Sequence, residues 1–88
     1  MVTEADIFGR VVDASNPTLT PEVARALLTF DFSESDHARM ADLARKSNEG
    51  SLDVDERREF ESYVFVGDVL ALMKSKARMS LRKQPSAA

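Results

Sequence analysis

The 88-residue chain has no cysteine and no tryptophan, only three glycines and three prolines, and no apolar run approaching eighteen residues. Without cysteine there is no disulfide frame, no thiolate nucleophile and no cysteine-ligated metal site. Gly9, Gly50 and Gly67 lie too far apart to form a phosphate-cradling loop, which needs several glycines close together so that consecutive backbone amides converge on the anion. The short apolar runs, and an amino terminus reading Met1-Val2-Thr3-Glu4, argue against export and membrane spanning, so a cytoplasmic location is expected. A chain of this size buries only a little over half of the surface its unfolded form exposes, so a partner or a second copy would add to a modest core.

What is present reads as helix. Thr3 with Asp6 forms a capping box ahead of Ile7, Phe8, Val11 and Val12, which share one stripe at helical spacing, and Asn16-Pro17 is expected to end this first helix. Thr20 caps a second, with Pro21 at its first position and Val23, Ala24, Leu27 and Leu28 on its inner face. Ser33 with Asp36 opens a third, carrying Met40, Ala41, Leu43 and Ala44. Between the second and third, Thr29-Phe30-Asp31-Phe32 alternates in polarity and reads as an extended connector that pins both phenylalanines into the core. A lone strand would have nothing to pair with there.

The stretch from Val54 to about Lys83 holds no proline, and Phe60, Tyr63, Val66, Leu70, Met73 and Ala77 step along it by threes and fours. That is the pattern of a helix packing along one seam, about 45 Å long at 1.5 Å per residue. Val64, Phe65, Val69 and Leu72 add a second apolar face, so the helix is either central to the fold or shared with a partner. Gly67 in its middle marks a close helix crossing or a point of bending. The expected architecture is all-α, a small bundle of three short helices packed on one long last helix. Residues 1–84 are expected to form a single helical domain and residues 85–88 a disordered tail.

The corner before the long helix, Ser47-Asn48-Glu49-Gly50-Ser51-Leu52-Asp53-Val54-Asp55-Glu56, has the spacing of the second half of a calcium-binding EF-hand loop. The first half fails: with Gly50 at loop position six, position one is Arg45, a fixed cation where calcium needs an anion. Gly50 as a left-handed helix stop, followed by Asp53 and Glu56 as a capping box, accounts for the same residues. No metal site and no cofactor are expected. Enzyme chemistry has little to stand on: His37 is the only histidine, no serine sits in a nucleophile elbow, and the acids of residues 53–61 would spread around a helix.

Charge is uneven. Residues 1–68 hold all fifteen acids and seven of the twelve bases, a net of −8, whereas residues 69–88 hold Lys74, Lys76, Arg78, Arg82 and Lys83 and no acid. Cations near a helix carboxyl end are favoured by its dipole, but five exceed what that effect asks for. An acidic body repels phosphate and the basic segment carries no aromatic residue to stack on bases, so a protein partner is expected ahead of nucleic acid. The partner-binding residues expected from charge and seam are Leu70, Met73, Lys74, Lys76, Ala77, Arg78, Arg82 and Lys83. A homodimer through the same helix is a further expectation.

Glu49-Gly50-Ser51-Leu52-Asp53-Val54-Asp55-Glu56-Arg57-Arg58-Glu59-Phe60-Glu61, followed by Leu70-Ala71-Leu72-Met73-Lys74-Ser75-Lys76-Ala77-Arg78, resembles a widespread group of short uncharacterised bacterial all-helical proteins. Their shared pattern is an EG-x-L-[TD]-x-[DE]-E-R-x-E-[LF]-E corner and an LLALLKSKAR-like helix, and the likeness spans residues 19–83. Members are often encoded beside small HNH-type nucleases. The resemblance therefore implies an antitoxin-like or nuclease-associated accessory protein, and it carries no catalytic residue with it. The alternative is a small nucleic-acid-binding regulator that uses the same five bases.

Overall fold

A computed structural model describes residues 1–83; the tail expected over 85–88 lies outside them. The described residues form four helices, α1 (Glu4–Val11), α2 (Pro21–Leu27), α3 (Glu34–Asn48) and α4 (Val54–Lys83), and contain no strand. The starts follow from local hydrogen bonding. Thr3 Oγ1 accepts from the Asp6 amide while the Asp6 carboxylate accepts from the Thr3 amide, and Thr20 Oγ1 accepts from the Val23 amide with Pro21 next in line. At α4 the box closes with Asp53 and Glu56, each side chain accepting the other's amide at 2.7 and 3.2 Å. Gly50 takes φ +69° after α3, the left-handed conformation that a side chain would strain.

Two boundaries differ from expectation. Helix α1 ends at Val11, several residues before Asn16-Pro17. The intervening residues are turns in which Asp13 Oδ1 accepts from the Ser15 amide at 2.8 Å and Asn16 Oδ1 from the Thr18 amide at 2.9 Å. These short polar side chains compete with the helix for its own donors. The connector is also different: the Thr29 and Phe30 amides fold back onto the Ala26 and Leu27 carbonyls, so a turn extends past α2. Phe30 is exposed and Phe32 only half-buried, because a turn does not preserve the alternation that would point both rings inward.

The chain groups into two compact units. The first holds Met1–Phe30 and the residues from Asp68 on. Its core is built from Leu19, Ala24 and Ala77, with Leu27, Leu28 and Leu81 packed around them. Ser80 is buried here and donates its hydroxyl to the Leu19 carbonyl at 3.3 Å, which satisfies both groups away from water. Gly9 of α1 meets α4 at Leu72: a Cβ built on it would lie 2.9 Å from Leu72 Cδ2.

The second unit, Asp31–Gly67, is an antiparallel pair made of α3 and the first part of α4. Leu43 is its one fully buried side chain among the described residues. A ladder of polar contacts runs away from the corner: Lys46 to Glu56, then Arg39 bidentate to Glu59 at 2.7 and 2.9 Å, then Tyr63 Oη donating to Asp36 Oδ1 at 2.7 Å. The partners are ten, twenty and twenty-seven residues apart in sequence, the widening register of an αα-hairpin. Gly67, at the end of this unit, has nothing nearer its Cβ position than the Phe32 ring at 3.9 Å, and α4 runs through it unbroken.

The ladder makes a pH prediction. Hydrogen bonds from Lys46, Arg39 and Tyr63 are the main reason that Glu56, Glu59 and Asp36 respectively lie below the usual carboxylate range. A group whose pKa is lower folded than unfolded stabilises the fold above its unfolded value, about 4, and loses that contribution as pH falls through the folded one. The urea midpoint is therefore expected to drop from about pH 5 downward. In Arg39→Met the drop should be shallower, because Glu59 then titrates alike in both states; an unchanged slope would remove the ladder as its cause.

Candidate interaction surfaces

The second unit carries an apolar surface whose shape is set by the start of α3. Phe32 precedes the cap residue Ser33, and its ring meets His37 edge-on with centroids 5.8 Å apart. This is the placement of a hydrophobic staple, in which the residue before the cap packs on the fourth helical residue. The other edge of Phe32 faces Tyr63 at 5.9 Å and 63°. The Tyr63 hydroxyl is held by Asp36, whose second oxygen accepts from Ser33 Oγ at 3.0 Å. The Asp36 carboxylate thus joins the two helices, and the two rings are fixed before anything binds.

Phe32, Asp36, Glu59, Ser62, Tyr63 and Val66 line an open groove of about 420 Å³. Val66 of its α4 wall is 44% exposed, and the adjacent Val64 and Phe65, which do not line it, are 50% and 44% exposed. Three consecutive large apolar residues exposed on one helix point three ways around it, so no single neighbour in a chain this small covers them. His37, on the solvent side, pairs with Asp31 Oδ2 at 3.1 Å.

The partner-binding residues expected from the sequence lie in the first unit and divide in two. Met73 and Ala77 are buried there, Ala77 completely. This corrects the docking expectation for both: they pack inside their own chain and cannot meet a partner while the unit is folded. Leu70 is half-buried. Lys74 and Lys76 are half-buried, and Arg78, Arg82 and Lys83 are exposed. Asp13 lies below the usual carboxylate range mainly through the Ser15 hydroxyl and amide, with smaller contributions from Lys76 and Lys83, so part of the basic end has an acidic neighbour in its own unit. The exposed Val64, Phe65 and Val66 were not among the expected partner-binding residues. In the sequence Val66 was read as part of the seam of α4, and Val64 and Phe65 as part of its second apolar face.

Glu49, Asp53 and Glu56 of the corner are engaged within the chain. Glu49 pairs with Arg45 at 3.2 Å, and Glu56 takes Lys46 together with the Asp53 amide. Among the described residues no group of three or more histidines, aspartates or glutamates is placed to hold a metal ion, and no helix is long and apolar enough to cross a membrane. No family model, no curated protein and no solved structure matches the chain.

Proposed function

We propose that this chain is a protein-interaction module of the antitoxin-like or nuclease-associated accessory kind, and that its docking site is the apolar groove of the second unit. The observation that carries the reading is the exposure of Val66 in the groove that it lines with the Phe32 and Tyr63 rings, which the Asp36 hydrogen bond and the ring contact already hold. Ordered aromatic rings beside exposed apolar surface are what a helical segment of a partner needs as an anchor, since little side-chain freedom is lost on binding. The basic end of α4 contributes in a different way. Exposed Arg78, Arg82 and Lys83 act on encounter with acidic groups of the partner, because rim charges change association rate and salt dependence more than residence time.

The test is binding of the neighbouring gene product to three forms of the chain at two salt concentrations. Val66→Ser is expected to raise the dissociation rate about tenfold or more, as loss of an apolar anchor does. Glutamine at Arg78, Arg82 and Lys83 is expected to slow association and flatten its salt dependence. Equal binding by all three would remove the reading. Steep salt-dependent binding to DNA or RNA, lost only with the glutamines, would favour the nucleic-acid regulator instead.

A further inference from the structure

One strip of α4 in the second unit is unused by the fold. Val54, Arg58, Glu61 and Phe65 recur every four, three and four residues, which places them on one face of the helix. All four are exposed, Val54 at 68%. Arg39, Asp42, Arg45, Lys46, Glu49, Glu56 and Glu59 are all ion-paired within this unit, whereas the side chains of Arg58 and Glu61 have no hydrogen-bond or ion-pair partner among the described residues. Arg58, Glu61, Ser62, Phe65 and Val66 line a shallow depression of about 490 Å³.

Read along the helix, the strip is apolar, positive, negative, apolar, an order that complements itself when reversed. We infer that this strip is a two-fold interface between two copies of the chain, with their α4 helices antiparallel about a point between residues 59 and 60. In that register Val54 of each copy meets Phe65 of the other and Arg58 meets Glu61, twice over, as a two-fold contact requires. A parallel pairing would set Arg58 against Arg58 and Glu61 against Glu61, so charge alone selects the antiparallel arrangement. The strip covers only about 18 Å of helix, less than a standard interface of about 1,600 Å² occupies. The dimer is accordingly a concentration-dependent equilibrium. The depression borders the groove at Ser62 and Val66 but does not include the Phe32 and Tyr63 rings, and the inference does not rest on the partner reading.

Analytical ultracentrifugation over a concentration series tests it, with circular dichroism confirming that each variant is folded. The wild type is expected to move from monomer to dimer. Arg58→Glu and Glu61→Arg should each weaken dimerisation about tenfold or more, because each sets like charges opposite each other. An equimolar mixture of the two should recover it as a heterodimer, and so should the double variant, in which the order of charges is reversed but still complementary. A wild type that stays monomeric throughout, single variants that dimerise like the wild type, or a mixture and a double variant that both fail to recover would each overturn the inference. If one single variant does not fold, the double variant alone decides: dimerisation by it supports the strip, and a folded monomer refutes it.

Discussion

Leu43→Ala is expected to lower the unfolding free energy by about 3 kcal/mol, within the range seen when a buried leucine is cut back and the cavity relaxes only in part. The effect should be large here because of where the residue sits. The α3–α4 unit has no other fully buried side chain among the described residues, so its remaining cohesion comes from half-buried Met40, Leu52 and Phe60 and from the polar ladder. Ion pairs with exposed faces contribute little each, and they cannot replace the lost apolar contact. Against a total of about 5–10 kcal/mol for a domain of this size, the change would be visible as a lower urea midpoint with a near-normal slope. A loss below about 1 kcal/mol would mean that neighbouring side chains collapse into the space, and that the unit does not depend on Leu43.

Ala77→Asp should act on the other unit and more severely. Ala77 is completely buried beside Leu19 and Ala24, and a carboxylate placed there would lose its hydration without a cationic partner in the cluster. Burying a polar group without a hydrogen bond costs about 2–7 kcal/mol, and a charge costs more unless it is neutralised. The expected outcome is loss of the packed unit, seen as reduced helicity and a collapsed thermal transition. Arg78→Asp, one residue on and exposed, should leave the fold intact. If Ala77→Asp stayed folded with an unchanged midpoint, the cluster would not be the core of that unit, and the residue would again be a candidate for docking.

The four helix starts were legible because each rests on residues three positions apart. Thr3 and Asp6, Thr20 and Val23, Ser33 and Asp36, and Asp53 and Glu56 all make the cap contacts their spacing implies. The third differs in detail: the Asp36 carboxylate takes the Ser33 and Tyr63 hydroxyls, and a residue twenty-seven positions away is invisible to a local rule. Helix ends were less legible, since the Asp13 and Asn16 turns stop α1 through side-chain acceptors and no apolar period reports that. The seam of α4 was found as a seam. Its spacing says that Met73 and Ala77 share a face with Leu70, but period alone does not say whether that face meets the same chain or another. The ladder could have been read with one more step. Once Gly50 is taken as the corner of an antiparallel pair, Lys46 falls opposite Glu56 and Arg39 opposite Glu59, both of opposite charge.

Tyr63 is the only tyrosine of a chain that has no tryptophan, and its hydroxyl is hydrogen-bonded to Asp36 across the two helices. A phenol becomes far more acidic when it absorbs light, so a carboxylate that already accepts its hydrogen bond can take the proton in the excited state and quench the emission. The near-ultraviolet fluorescence of this protein is thus expected to report a single bond between α3 and α4, dim while the helices are together and brighter when they part. No label is required to follow the opening of that unit, and nothing in the other unit contributes a tyrosine signal of its own.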